Sequence, residues 1–128
     1  AGNAQAMFGK AAALQALGRL EQAGDLYRAM IAQQLESPAL LSNVIAISTA
    51  RKEESRMREY SERLLKLEPQ ARAALEGLAT AALWRGDYNS AVNYCAQLVK
   101  VAADSFEAWF NLGVAYQKSG RLDQASQA

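Results

Sequence analysis

Chemistry in this chain would have to come from a short inventory of side chains. Histidine, the commonest general base and metal ligand, is absent from all 128 residues. Cys95 is the only cysteine, so neither an intrachain disulfide nor a cysteine-cluster metal site can form within the chain. The densest charge run, Arg51-Lys52-Glu53-Glu54-Ser55-Arg56 with Arg58-Glu59, offers a docking patch or a solvated turn and helix face. The solvated reading is favoured, because Glu54 and Arg58 have the i,i+4 spacing of a surface ion pair worth about 0.2–0.5 kcal/mol. No carboxylate pair, phosphate-cradling loop or nucleophilic triad appears. These residues predict no catalytic site, no metal and no cofactor: the chain is read as a non-enzyme whose function lies in its surface.

The elements that build that surface are legible from a repeat. Gly18-Arg19-Leu20-Glu21-Gln22-Ala23 returns as Gly120-Arg121-Leu122-Asp123-Gln124-Ala125, a displacement of 102 residues, or three times 34. A 34-residue period is the signature of stacked helix-turn-helix units, each burying its apolar face only against its neighbours. The intervening copies fall in phase. Gly18, Lys52, Gly86 and Gly120 form one column, Ala23, Met57, Ala91 and Ala125 another. Met7, Leu41, Leu75 and Trp109 make an inward apolar column, as do Val44, Leu78 and Leu112 with Lys10 in their phase. Ala11, Ile45, Ala79 and Gly113 stay mostly small. Cys95 shares its column with Tyr27 and Ser61, which marks it as a buried core thiol.

In its fourth unit the chain reads Trp109, Leu112-Gly113, Tyr116, Gly120, Ala125, and in its third Leu75, Leu78-Ala79, Gly86, Ala91, Ala96. With Gly18, Ala23 and Tyr27 in the first unit, this pattern resembles the tetratricopeptide repeat family over essentially the whole length. The second unit departs most: it has no turn glycine, and it has Ile45 and Met57 where the family has small residues. Its two helices are expected to be splayed or shifted. The resemblance implies an all-α, right-handed superhelical solenoid of antiparallel helix pairs. Residues 1–128 are expected to form a single domain with units of about 4–37, 38–71, 72–105 and an incomplete 106–128, a piece of a longer protein.

Local signals agree. Ser37-Pro38 reads as an N-cap followed by proline at the first helical position, and Gly18, Gly86 and Gly120 read as inter-helix turns. With 51% hydrophobic residues and no run long enough to span a bilayer, membrane insertion is not expected. Fourteen basic against 13 acidic side chains, net +1, exclude the basic stripe of a nucleic-acid binder. No targeting signal stands at Ala1-Gly2-Asn3; the compartment stays open, with the cytoplasm favoured.

In arrays of the kind this chain resembles, the first helices of successive units line a concave groove. By phase, the groove columns hold Gln5, Ala39, Ala73, Glu107; Phe8, Ser42, Glu76, Phe110; Gly9, Asn43, Gly77, Asn111. Further along come Ala12, Ala46, Thr80, Val114; Gln15, Thr49, Leu83, Gln117; and Ala16, Ala50, Trp84, Lys118. Exposed apolar residues on such a face mark a binding site. The candidate partner-binding set is Phe8, Gln15, Asn43, Thr49, Thr80, Leu83, Trp84, Phe110, Asn111, Val114 and Gln117, with Trp84 and Phe110 as anchors and the polar members as hydrogen-bond donors and acceptors. The clamp for a C-terminal carboxylate found in chaperone-binding members is not expected, since Phe8, Ala12, Ala73 and Gly77 stand where its polar residues belong. The asparagine ladder of the O-linked N-acetylglucosamine transferases is matched at Asn43 and Asn111 and broken at Gly9 and Gly77. The expected function is a protein-interaction scaffold or adaptor holding an apolar or amphipathic peptide segment. The alternative is a substrate-recruiting arm of a larger enzyme such as a glycosyltransferase. Self-association is a third expectation, through a C-terminal unit that leaves Trp109, Leu112, Tyr116 and Leu122 incompletely covered.

Overall fold

The computed structural model describes residues 2–120; the expectations attached to Leu122 and Ala125 lie outside the described residues. Seven helices follow one another: α1 (Gly2–Ala16), α2 (Leu20–Ala32), α3 (Pro38–Ala50), α4 (Glu54–Leu67), α5 (Arg72–Trp84), α6 (Tyr88–Val101) and α7 (Phe106–Lys118). Among the described residues there is no strand. The helices stack as a right-handed superhelical solenoid of antiparallel pairs, each helix packed on the one before it. In addition α1 touches α3 and α3 touches α5, so the first helices of successive pairs lie side by side along one face.

Side chains set the helix starts. Ser37 is extended, and its Oγ accepts from the Leu40 N–H at 3.2 Å with Pro38 opening α3. The Asp87 carboxylate accepts from the Ser90 N–H at 3.3 Å, and Ser105 Oγ from the Ala108 N–H at 3.1 Å. Each satisfies an amide donor that the first turn leaves without a carbonyl.

The ends of the first helices share one turn geometry. Gly18, Gly86 and Gly120 are left-handed, with φ of 79°, 78° and 80°. Lys52, at the same phase, adopts φ 57° without the freedom of glycine. Its N–H still donates to the Thr49 carbonyl and that of Glu53 to Ser48, the same pair of bonds that Gly18 and Arg19 make to Gln15 and Leu14. The second unit therefore keeps the turn and carries its strain, about 1–2 kcal/mol for a residue with a Cβ. Glycine would relieve that strain while adding about 0.4–1 kcal/mol of unfolded-state entropy. Lys52→Gly is thus expected to stabilise the fold by about 0.5–1 kcal/mol, seen as a raised midpoint in thermal unfolding followed by helical circular dichroism. A lowered midpoint would refute the strain.

The core runs through the stack. Tyr27, Leu40, Leu41, Val44, Ile47 and Leu64 are buried in the α1–α4 part. Leu75, Ala79, Cys95, Leu98 and Leu112 form the α5–α7 part, and Leu65 packs against both. The inward apolar column holds at Leu41 and Leu75 but not at Trp109, which is 42% exposed. The reason is local: the Trp109 indole Nε1 donates to the Ala103 carbonyl at 2.8 Å, laying the ring over the α6–α7 turn. Leu112, by contrast, is buried, which corrects the expectation that it is left uncovered. The bulky Ile45 and Met57 are both buried. The charge run of the second turn is a set of ion pairs: Glu53 with Arg56 at 3.1 Å, and Glu54 with Arg58 at 3.8 Å and with Arg85 of the next unit at 3.1 Å. Cys95 has no exposed surface, and burial pushes its thiol up to about 11, so at neutral pH it is a protonated core residue.

Candidate partner-binding groove

An open cavity of about 400 Å³ lies along the face where α3, α5 and α7 follow one another. It exists because the residues turned toward it are short. From α3 come Ala46 and Ala50, from α5 Ala73 and Gly77, and from α7 Ala108. Ile45, Ala79 and Leu98 supply the rest of its apolar surface. The polar part comes from Ser42 and Thr49 on α3, Glu76 and Thr80 on α5, and Glu107 and Asn111 on α7. Thr49 Oγ1 donates to the Ile45 carbonyl one turn back at 2.9 Å, which leaves its acceptor lone pairs available. The side chains of Thr80 and Asn111 make no hydrogen bond to another described residue.

The floor is closely packed at Gly77. A Cβ there would meet Ser61 Oγ at 2.2 Å and Ile45 Cγ2 at 3.2 Å. Behind it, the Ser61 hydroxyl is fully buried and has no hydrogen-bond partner.

Of the eleven residues expected to bind a partner, Thr49, Thr80 and Asn111 line this cavity. Three others are joined in an internal tie. Tyr27 of α2 is fully buried with its ring edge-on to Phe8, centroids 5.8 Å apart. Its Oη donates to Gln15 Oε1 at 3.0 Å and accepts from Asn43 Nδ2 at 3.1 Å. Burial raises the Tyr27 pKa above its ordinary value, and the Asn43 bond opposes that shift. These atoms of Gln15 and Asn43 hold α1, α2 and α3 together. Leu83 packs against the Ala82, Ala91, Val92 and Ala115 cluster. Trp84, at the end of α5, is 45% exposed and stands outside the cavity; Val114 and Gln117 are outside it too. Phe110 is 58% exposed and stacks on Phe106, centroids 6.0 Å apart, on the helix that also bears Glu107.

The cavity lies among residues of the groove columns, and neither Trp84 nor Phe110 lines it. Ser42, Glu76, Glu107, Ala46, Ala50, Ala73 and Gly77 stand on those columns, while Ala79 and Ala108 do not; the signal for the concavity is the small residues that recur at Ala46, Ala50, Ala73 and Gly77. Among the described residues, no group of three or more acidic or cysteine side chains could hold a metal ion, and no helix is long and apolar enough to cross a membrane.

Residues 82–128 match the family model described as tetratricopeptide repeat. No curated protein sequence matches the chain. Among solved structures, a crystal structure of MamA superimposes with a TM-score of 0.88 at 14% identity, covering 98% of this chain and 68% of that one. MamA from Desulfovibrio magneticus RS-1, residue 41 to its end, gives 0.86 at 19% identity, covering 95% and 69%. YrrB, described as a tetratricopeptide-repeat protein with an unusual peptide-binding site, gives 0.84 at 16% identity over 95% of this chain and 63% of its own. At these identities the likeness is one of fold.

Proposed function

Taking as premise that the chain is a tetratricopeptide-repeat array, we propose that it is a protein-interaction scaffold whose groove between α3, α5 and α7 holds a peptide segment of a partner protein. One observation carries this: three successive first helices place small side chains together and leave a cavity of about 400 Å³ bordered by hydrogen-bonding groups of Thr49, Thr80 and Asn111. Such a site offers shape to a side chain and polar partners to a backbone. No reaction is assigned to it. The reading takes residues 4–37, 38–71, 72–105 and 106–128 as units of one binding domain. In this reading Thr49, Thr80 and Asn111 meet the segment inside the cavity, and the exposed Phe110 and Trp84 stand outside its lining.

The test is selection of binders from a random peptide library, followed by measurement of their affinity for a variant with the groove filled. Ala46 is exposed and lines the cavity, so Ala46→Trp fills it with a neutral ring while leaving the helix intact by circular dichroism. Selected peptides are expected to bind that variant at least about tenfold more weakly, the loss of one well-placed contact surface. Unchanged affinity would place the peptide elsewhere.

A further inference from the structure

The charge on the groove says what kind of segment fits it. Its lining holds two carboxylates, Glu76 and Glu107, contributed by successive repeats, and no basic side chain. Glu76 is shared with Arg72 one turn back on its own helix at 3.3 Å, an exposed pair that holds its carboxylate weakly. Glu107 makes no ion pair with any described residue. Three residues further along α7, within one helical turn, stands Phe110, stacked on the 81% exposed Phe106. Aromatic faces beside carboxylates attract a cation by both charge and ring quadrupole. The floor of Ala46, Ala50, Ala73 and Gly77 leaves room for a long aliphatic stem, and Thr49, Thr80 and Asn111 add oxygen acceptors for its N–H groups.

We propose that the segment held in this groove presents an arginine or lysine side chain, seated between Glu76 and Glu107 with Phe110 at its flank. This rests on the reading of the groove as the peptide site. An anionic occupant, whether an acidic peptide or a nucleic-acid backbone, would meet two like charges there.

The probes are the peptides selected from the random library, titrated at 50 and 300 mM salt. The expected result is one enriched Arg or Lys position whose replacement by methionine weakens binding roughly tenfold. The double variant Glu76→Gln, Glu107→Gln is expected to weaken it to a similar extent and to flatten the salt dependence. Arg72→Ala, which frees Glu76, is expected to tighten it about twofold. Ala46, Arg72, Glu76 and Glu107 are all exposed, so helical circular dichroism serves as the folding control. Peptides that lose affinity on Ala46→Trp yet carry no enriched basic position, or bind the Gln variants unchanged, overturn this inference and leave the groove reading standing. Peptides indifferent to Ala46→Trp overturn the groove reading itself, and a library that yields no binder overturns both.

Discussion

Alanine at Gly77 is expected to destabilise the array by about 1–3 kcal/mol, while alanine at Gly9, two repeats earlier in the same column, is expected to stabilise it by about 0.5–1 kcal/mol. Both glycines lie inside first helices, where replacing glycine by alanine is favourable by up to about 1 kcal/mol. The difference is the space. A Cβ at Gly9 has nothing within 4 Å, whereas one at Gly77 falls 2.2 Å from Ser61 Oγ, 3.2 Å from Ile45 Cγ2 and 3.3 Å from Ser61 Cβ. Ser61 is fully buried and Ile45 nearly so, so neither retreats into solvent. Rotation of the Ser61 hydroxyl removes one overlap but leaves the Cβ contact, and overpacking of this kind outweighs the helix-propensity gain. Thermal or denaturant unfolding of the two single variants checks the opposite signs. Ser61→Gly in the Gly77→Ala background should recover part of the loss. If Gly77→Ala is as stable as Gly9→Ala, α4 and α5 are not in the close approach described.

The same contact shows where repeat logic stopped being informative. Residue type was enough to place the turns at Gly18, Gly86 and Gly120 and the cap at Ser37, because those depend on the residue's own backbone and capping preferences. Lys52 held the turn at φ 57° although its type gave no sign of it, since the surrounding helix-end hydrogen bonds impose the geometry. Ile45 was legible as too large for its column. What the column could not show is that Ile45 Cγ2 lies where a Cβ of Gly77 would be crowded, a compensation between neighbouring repeats that each unit read separately conceals. Concavity escaped for a related reason. Exposed rings such as Trp84 and Phe110 are easy to see in a sequence, yet a groove is made where side chains are missing, at Ala46, Ala50, Ala73 and Gly77.

Tyr27 carries the largest effect expected of a single side chain. Its ring is fully buried, touches Phe8 edge-on at 5.8 Å, and its hydroxyl bridges Gln15 of α1 to Asn43 of α3. Tyr27→Ala removes ring and bridge together and is expected to cost about 3–5 kcal/mol. Tyr27→Phe keeps the ring and removes the bridge, for about 1–2 kcal/mol, because the two amides it abandons are only half buried and can turn to water. Asn43→Ala added to Tyr27→Phe should therefore cost little more than Tyr27→Phe alone, a non-additivity that reports a shared bond. The buried hydroxyl also has a pH signature, set by its burial and not by the bridge. Burial raises the Tyr27 pKa in the fold above its unfolded value near 10, so its contribution is complete below about pH 10 and is lost as pH rises through the folded pKa. Tyr27→Phe is expected to lose stability less steeply than the parent protein above that pH. Full additivity with Asn43→Ala would show that Tyr27 acts through its ring alone and that α1 is held to α3 by packing without the bridge, while an unchanged alkaline slope would show that the hydroxyl is not buried as described.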